Sequence, residues 1–315
     1  MPKTIAVTGA SGFIGRRLIE RLCRDGNSVR ALQRHRPIDI DVPREQLRAV
    51  KGSLNDPASL SELVAGVDTV IHLAGLIKAR RRQDFFDANV KGVARLIEAI
   101  IERQDTTKLV LISSLAAREP GLSSYAASKR CGEAALLGIG KALSWTVLRP
   151  PAVYGQGDRE TLPFFKSIQR GFGAMLGSDR ARFSLIHVDD LTDAMIHVAD
   201  LGNADHLIME LDDGAEGGHS WPSMIDAGER ALKVKAKRIT IPPMALKSLG
   251  YVNSALRILP GYTPMLTPGK AREIGHPNWV ADNHLIKKAT SWRPTMPIDS
   301  GFRATVDWYR FHSWL

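Results

Sequence analysis

The chain has 315 residues, of which 44% are hydrophobic, and this predicts one or two globular domains with a sizeable core rather than a disordered chain. The net charge of +10 either favours acidic partners, such as phosphorylated substrates or anionic lipid, or serves solubility alone. The 6% aromatic content and the absence of a recognised module argue against nucleic-acid binding. No apolar run is long enough for a transmembrane segment and the first strand begins too early for a signal peptide, so we expect a cytoplasmic protein.

The first predicted element is a buried strand, Thr4 to Thr8, which ends at Gly9. From Gly12 onward apolar residues recur at helical spacing, so three glycines lie on a strand-to-helix turn. Such a turn lets backbone amides approach a pyrophosphate, with the positive end of the helix dipole facing it. The residues expected at the phosphates are Gly9, Ser11, Gly12, Phe13, Ile14 and Gly15.

Strands and helices then alternate along the first half of the chain. The predicted strands are Ser28 to Leu32, Leu47 to Val50, Thr69 to Leu73, Lys108 to Ile112 and Trp145 to Leu148. The predicted helices are Pro57 to Val64, capped by Asp56, Asp84 to Ile101, and Ser123 to Leu137. This alternation predicts an α/β fold with a Rossmann-type, doubly wound parallel sheet.

After Pro150 and Pro151 the pattern changes to glycine-rich and proline-rich turns. The run Leu185 to Val188, followed by a helix from Asp189 to Ala199, is interpreted as a return to the sheet. From Leu211 onward the chain is expected to be mainly helical, with little strand content. We therefore predict a dinucleotide-binding domain of residues 1–155 plus about 184–210, and a smaller, mainly helical substrate lobe of about 156–183 plus 211–315.

Two groups of polar residues indicate chemistry near this sheet. Tyr125 and Lys129 are four residues apart on a predicted helix and so share a face. Ser113 and Ser114 follow the strand that ends at Ile112, close to the expected cofactor. Three histidines, His72, His187 and His197, lack ligand spacing and are interpreted as structural, so no metal site is predicted.

These motifs together resemble the extended short-chain dehydrogenase/reductase family, which includes epimerases, dehydratases and reductases. The resemblance covers most of the chain. The segments that carry it are the glycine turn, Gly52 to Asp56, His72 to Gly75, Asn89 to Gly92, Tyr125 to Lys129, Leu148 to Gly155, His187 to Asp190, and the ending from Ser291 to Tyr309.

The resemblance implies a role for each matching residue. Tyr125 would be the catalytic acid/base, Lys129 its partner and a ribose ligand, and Ser114 the hydroxyl that holds the substrate oxygen. A free phenol has a pKa near ~10, and a nearby ammonium with a positive nicotinamide ring can lower it by about 1–3 pH units. Asn89 would anchor this region. Further cofactor contacts would come from Asp56, Leu73, Ala74, Gly75, Pro151 and Val153.

The end of the second strand bears on which nicotinamide cofactor binds. An NAD enzyme typically has an acidic residue there for the ribose hydroxyls, but this chain continues with Arg34, His35 and Arg36. Guanidinium groups pair well with a 2′-phosphate, so NADP is preferred over NAD. The alternative is that Arg34 and Arg36 are solvated loop charges.

At some positions this chain differs from the best-known subfamilies, and these differences argue against two of the reactions that the family catalyses. Leu115 and Ala116 stand where sugar dehydratases carry an acidic pair, and Ala152 stands where nucleotide-sugar enzymes commonly carry Asn. The leading hypothesis is an NADP(H)-linked oxidoreductase acting on a carbonyl or secondary alcohol. The alternatives are a nucleotide-sugar epimerase with tightly bound NAD, and an NAD(P)-binding accessory subunit of a larger complex.

The substrate is expected to be a small molecule, either anionic or hydrophobic. The cationic segment Lys78 to Arg82 would attract an anion or be a solvated turn. The mainly apolar run Met244 to Leu259 would line a hydrophobic pocket or pack the lobe. The family resemblance also implies a homodimer, through the helices Asp84 to Ile101 and Ser123 to Leu137.

Overall fold

The computed structural model describes residues 2–178, 180–200, 202–259 and 262–315. The strands are β1 (Thr4–Thr8), β2 (Ser28–Gln33), β3 (Leu47–Lys51), β4 (Thr69–His72), β5 (Lys108–Ile112), β6 (Ser144–Arg149), β7 (Ala152–Tyr154), β8 (Phe172–Leu176), β9 (Arg182–Phe183), β10 (Leu185–His187), β11 (Leu207–Glu210), β12 (Lys237–Ile241) and β13 (Asn278–Trp279).

The α-helices are α1 (Phe13–Arg24), α2 (Pro57–Val64), α3 (Arg82–Phe86), α4 (Gly92–Arg103), α5 (Ser124–Ile139), α6 (Leu162–Gln169), α7 (Val188–Asp200), α8 (Trp221–Leu232), α9 (Pro243–Ala255), α10 (Pro268–Gly275), α11 (His284–Ala289) and α12 (Ile298–Phe311). A π-helical turn, Asp87–Lys91, joins α3 to α4, so the helix predicted from Asp84 to Ile101 is present with a wider turn inside it.

Seven parallel strands form the central sheet in the order β3-β2-β1-β4-β5-β6-β11. The order reverses between β1 and β4, and in such sheets ligands bind beyond the carboxyl ends of the strands at this reversal. The predicted Rossmann-type, doubly wound parallel sheet is confirmed.

Apolar side chains cover both faces of the sheet. On one face α1 and α7 pack against the strands through residues such as Leu18 and Leu191. On the other face α2, α4 and α5 do so through residues such as Leu63, Leu96 and Leu136. Burial on both faces explains why these strands are continuous β-branched and apolar runs rather than alternating ones.

The seventh strand of the sheet is not the one that the sequence predicts. Leu185–His187 pairs with Ala152–Tyr154 in a separate two-stranded sheet, so the expected return of this segment to the main sheet is wrong. The place beside β6 is taken by β11, whose Ile208 lies opposite Val147. With the edge of β6 occupied, β10 pairs with the segment that leaves β6 after Pro150 and Pro151.

The C-terminal lobe has its own core, in which α6, α8 and α12 enclose Phe165, Ile225 and Phe302. Two short strands beyond Leu211, β12 and β13, pair with β8 and β9 in a region expected to be mainly helical. The lobe is tied to α7 by Asp190, whose carboxylate accepts hydrogen bonds from the amides of Thr295 and Met296, both at 3.0 Å. The exact division of the chain into two domains stays a prediction.

Candidate active site

The glycine turn between β1 and α1 leaves no room for side chains. Gly9 has a φ of +75°, and a Cβ there would lie 2.8 Å from the amide nitrogen of Ala74. A Cβ on Gly15 would lie 2.3 Å from the carbonyl oxygen of Gly9. Gly9 therefore allows the left-handed turn, and Gly15 allows α1 to pack against it.

The N-terminus of α1 points its backbone amides away from the sheet without a side-chain cap. Gly12, the residue before α1, has no side chain, and its own amide bonds to the carbonyl of Gly9 at 3.0 Å. Ser11, Phe13 and Ile14 are partly buried around the same turn. Uncapped amides at the positive end of a helix fit a diphosphate, so these residues suit the pyrophosphate of a dinucleotide.

The segment after β4 lies directly against this turn. The amide of Ala74 donates to the Thr8 hydroxyl at 3.2 Å, and the same hydroxyl is 2.8 Å from Nδ1 of His72. Burial, with the nearby Lys129 ammonium, lowers the pKa of His72 to about 3, so this imidazole is neutral. Leu73, Ala74 and Gly75 are thereby held at the carboxyl edge of the sheet.

Asn89 joins the segment after β4 to α5 through hydrogen bonds. It is buried in the π-helical turn, where its Oδ1 accepts from the amide of Leu76 at 2.8 Å. Its Nδ2 donates to the carbonyl of Leu76 at 3.0 Å and to the Ser128 hydroxyl at 2.9 Å. These bonds are made by the amide as a donor and an acceptor together, which explains why an asparagine suits this position.

Ser114, Tyr125 and Lys129 meet at the carboxyl end of β5. The Lys129 ammonium donates to the carbonyl of Ile112 at 2.7 Å, and it is 3.8 Å from the position that a Cβ on Gly75 would take. Ser114 follows β5, and its hydroxyl accepts from the amide of Ala116 at 3.2 Å. The Ser114 hydroxyl also hydrogen-bonds to the phenol of Tyr125, and Lys129 lies one helical turn after Tyr125 on α5.

The protein's own groups act on the pKa of the Tyr125 phenol in opposite directions. Burial raises the pKa of Tyr125, and the Ser114 hydroxyl and the Lys270 ammonium only partly oppose this. Burial also lowers the pKa of Lys129 to about 8, although the Glu133 carboxylate acts in the other direction. Among the protein's own groups, desolvation of the phenolate outweighs the nearby cation, and the lowering of the Tyr125 pKa expected from Lys129 together with a positive nicotinamide ring stays a prediction.

Lys270, on α10 of the C-terminal lobe, is a site residue that the sequence analysis missed. Its ammonium pairs with the buried Glu273 at 2.9 Å, and Glu273 also accepts a hydrogen bond from the Ser123 hydroxyl at the start of α5. Burial opposes the charge on Lys270, but Glu273 outweighs it and the pKa is raised. Nothing in the sequence signals this residue, because it is distant along the chain and lies in no motif.

A second missed feature is a buried ion pair next to Lys129. Glu133 is fully buried, and its two carboxylate oxygens accept from Arg149 at 2.8 and 2.6 Å and from the Ser113 hydroxyl at 2.5 Å. Glu133 comes four residues after Lys129 on α5, so helical spacing places it on the same face as Tyr125 and Lys129. That spacing is a signal that could have identified it.

The remaining predicted cofactor residues lie along the same edge of the sheet. Arg34 and Arg36 are exposed directly after β2. Asp56 follows the adjacent β3 and caps α2, accepting from the amide of Ala58 at 3.2 Å. Pro151 and Val153 follow β6, where the carbonyl of Pro150 accepts from the amide of Leu115 at 2.8 Å, next to Ser114.

The cationic segment Lys78 to Arg82 is engaged with protein groups. Lys78 forms an ion pair with Glu160 at 3.2 Å, Arg81 pairs with Asp84 at 2.8 Å, and Arg82 lies 5.2 Å from the centre of the Phe86 ring. Across residues 2–178, 180–200, 202–259 and 262–315, no cluster of His, Cys, Asp or Glu has the form of a metal site. No helix among these described residues is long and apolar enough to cross a membrane.

The chain is similar to known proteins over nearly its whole length. The profile of the NAD dependent epimerase/dehydratase family matches residues 5–208. A ceramide reductase from Caulobacter vibrioides is 34% identical over 314 residues, covering 99% of this chain and 96% of the relative. A dTDP-4-dehydro-6-deoxy-D-allose reductase from a Streptomyces species is 26% identical over 343 residues, covering 98% and 97%.

A solved structure shares the fold along nearly its whole length. MoeE5 in complex with UDP-glucose and NAD superposes with a TM-score of 0.77 at 20% identity, covering 99% of both chains. At this identity the similarity supports the architecture only. The sugar nucleotide and the dinucleotide named there are ligands of that protein.

Proposed function

The chain belongs to the NAD dependent epimerase/dehydratase family, and we propose that within it this protein is an NADP(H)-dependent reductase that converts a ketone on a ceramide-type lipid to a secondary alcohol. The family and its reductase relatives make the chain an NAD(P)-dependent oxidoreductase or epimerase of the extended short-chain type. The cofactor preference, the direction and the substrate are the parts that we add.

The observation that carries the proposal is the buried phenol of Tyr125, which is hydrogen-bonded to the Ser114 hydroxyl and lies near the Lys270 ammonium at the carboxyl edge of the sheet. A bound reduced nicotinamide supplies the hydride for the carbonyl carbon. Ser114 holds the carbonyl oxygen, and Tyr125 donates its proton to that oxygen as negative charge develops, so the product is a neutral secondary alcohol. The phenolate left on Tyr125 then regains a proton from solvent.

The buried phenol of Tyr125 is suited to act as the acid that a reduction needs. A reduction starts from the protonated phenol, and burial keeps the phenol protonated at neutral pH. Lys270 places positive charge near the phenol oxygen, which stabilises the phenolate that forms after the proton has left. An oxidation would instead need the phenolate as a base before the reaction begins.

The preference for NADP rests on the residues that follow β2. Arg34 and Arg36 are exposed at the carboxyl edge, and both are guanidinium groups that can form paired hydrogen bonds with a phosphate. A hydrogen bond to a charged group is worth ~1.5–3 kcal/mol, which corresponds to roughly 10- to 100-fold in affinity.

The lipid substrate is supported by the full-length similarity to a ceramide reductase, at 34% identity against 26% for a sugar-nucleotide reductase. Ala152 also favours a lipid over a sugar nucleotide, because a methyl group cannot hold the diphosphate that nucleotide-sugar enzymes bind. Leu115 and Ala116 argue against a dehydratase, since neither can protonate a leaving hydroxyl.

The cofactor part of the proposal is tested by titrating cofactor-free protein with NADPH and NADH in parallel. We expect NADPH to bind at least about tenfold more tightly, and Arg34→Ala/Arg36→Ala to remove that difference. Arg24→Ala is the control, because this exposed arginine ends α1 at the opposite edge of the sheet. Equal or tighter binding of NADH, or NAD that cannot be removed, would contradict the proposal and favour an epimerase.

A further inference from the structure

One helix of the C-terminal lobe presents apolar residues to solvent. Met244 is 83% exposed, Val252 63% and Ile258 81%. The exposed apolar residues from α9 through the turn that follows it are named here the apolar α9 face: Met244, Tyr251, Val252, Leu256, Ile258 and Leu259. A surface helix normally turns such residues toward the core, so this arrangement is reversed.

Helical spacing shows how wide this face is. On α9 itself, only Leu246 and Gly250 are buried, and they lie on one narrow side of the helix. Tyr251, Val252 and Ala255 lie on the opposite side with Met244, and the exposed Lys247 and Ser248 stand among them. Six of the eight exposed residues of α9 are therefore apolar, which is typical of a helix that contacts an apolar phase.

The charged residues on and near α9 indicate which apolar phase the apolar α9 face contacts. The sequence has no Asp or Glu between Glu229 and Glu273, and this stretch contains nine Lys and Arg residues. It thus carries nearly all of the chain's net charge of +10. Four of these cations pair with carboxylates outside the stretch: Arg230 with Asp299, Lys235 with Glu229, Arg238 with Asp226 and Lys270 with Glu273. The helix α9 itself has no carboxylate and carries the exposed Lys247 among its apolar residues. Apolar side chains beside such a cation complement an anionic bilayer, in which each cation near the surface adds to the attraction.

The same face leads toward the active site. Gly250 allows α9 to pack closely on the start of α10, because a Cβ there would lie 2.9 Å from the carbonyl carbon of Thr267. The next helix, α10, carries Lys270 and Glu273, which reach Tyr125 and Ser123. One layer of helix therefore separates the apolar α9 face from the catalytic phenol.

We propose that the apolar α9 face docks this protein on the surface of an anionic lipid bilayer. The helix lies in the interface, with Met244, Val252 and Ile258 among the lipid chains and Lys247 at the headgroups. The docking itself follows from the exposed apolar and basic residues. Its purpose, the delivery of a membrane-resident lipid ketone to Tyr125, rests on the proposed function.

The test is flotation of the full-length protein with vesicles, without cofactor or substrate. We expect binding to vesicles of equimolar phosphatidylcholine and phosphatidylglycerol to exceed binding to phosphatidylcholine alone by about tenfold or more. Val252→Ser/Ile258→Ser should reduce the anionic-vesicle binding by at least about tenfold, because both side chains lose their transfer into the bilayer.

The control is Phe311→Ser, which replaces an apolar residue that is 85% exposed at the end of α12, outside the acid-free stretch. It should leave vesicle binding unchanged. Wild-type protein that stays unbound, or a double variant that binds as well as wild type, would overturn the proposal. If wild type stays unbound and light scattering gives the double variant half the mass of wild type, the apolar α9 face is an interface between two copies of the chain. That result would also overturn the proposal.

This result is independent of the proposed reductase activity, because flotation needs neither NADPH nor turnover. The double variant should reduce a short, water-soluble ketone at the wild-type rate, since both substituted side chains are exposed and α10 lies between α9 and Tyr125. Protein that binds vesicles but reduces no ketone would refute the proposed function alone.

Discussion

The ammonium of Lys129 should destabilise the fold at neutral pH, and its removal should reveal this. Its side chain is partly buried and donates to the carbonyl of Ile112 at 2.7 Å. Burial lowers its pKa from 10.5 to about 8. The substitution Lys129→Met keeps the length and apolar stem of the side chain while removing the charge.

The size of the effect follows from this shift in pKa. Each pH unit corresponds to ~1.36 kcal/mol, so the charged lysine lowers the free energy of unfolding by up to about 3 kcal/mol at pH 7. Because the folded pKa lies below the unfolded one, this destabilisation is fully present below pH 8 and disappears as the pH rises toward 10.5. Loss of the bond to Ile112 costs Lys129→Met about 1 kcal/mol, independent of pH.

The assay is urea unfolding of wild type and Lys129→Met at pH 7 and pH 9.5. The stability of the variant relative to wild type should fall by about 2 kcal/mol between these two values, because wild type regains stability as Lys129 loses its proton. Lys141→Met, at an exposed position after α5, should show no such change. A difference between Lys129→Met and wild type that is the same at both pH values would refute the reasoning.

Three further predictions concern the same region. Glu133→Gln should lower the free energy of unfolding, measured in urea, by ~3–5 kcal/mol, because it leaves the buried Arg149 without its paired carboxylate. The double variant Glu133→Gln/Arg149→Met should recover part of this stability, and a loss below about 1 kcal/mol in Glu133→Gln would count against the ion pair. Tyr125→Phe should lower the kcat of NADPH-linked ketone reduction by about 10²–10⁴-fold with little change in NADPH affinity by titration, and near wild-type turnover would exclude Tyr125 as the proton donor. Gly15→Ala should lower the free energy of unfolding by ~1–3 kcal/mol and weaken NADPH binding, since its Cβ would lie 2.3 Å from the Gly9 carbonyl oxygen. Gly138→Ala is the control: a Cβ there meets nothing within 4 Å, so this variant should be neutral or slightly stabilising. Equal effects in the two variants would contradict this account of the turn.

Most of the first half of the fold could be predicted from the sequence, for a simple reason. Strands such as Lys108–Ile112 are buried on both faces and are therefore continuous apolar runs, while the helices between them carry apolar residues on one side. The edge strand Leu207–Glu210 is only partly buried and gave no such signal. The sequence analysis assigned its place to Leu185–Val188, which is more apolar but pairs elsewhere.

The candidate site was predictable where it is local in sequence. Tyr125 and Lys129 share a helical face, and the glycine turn lies between one strand and one helix. Lys270 was not predictable, because only the packing of the C-terminal lobe brings it to Tyr125. The burial of the Tyr125 phenol, which raises its pKa, was not predictable either, since the charges near the phenol are visible in the sequence but the degree of burial is not.

The roles of these residues, the homodimer and the cytoplasmic location remain predictions. The exposed α9 helix shows most clearly why the sequence was insufficient. An apolar run such as Met244 to Leu259 has the same composition whether it packs a core, lines a pocket or faces a membrane. Only the exposure of Met244 and Ile258 separates these cases.

The most direct measurement of the central claim is the fate of a labelled hydride. The protein is incubated with NADPH that carries deuterium at the transferable position of the nicotinamide, together with the keto form of a ceramide, and the lipid is analysed by mass spectrometry. We expect one deuterium on the new carbinol carbon for each NADPH oxidised, and almost none with Tyr125→Phe. Unchanged lipid and NADPH, in protein that retains tightly bound NAD and epimerises a sugar nucleotide without net oxidation, would contradict the account.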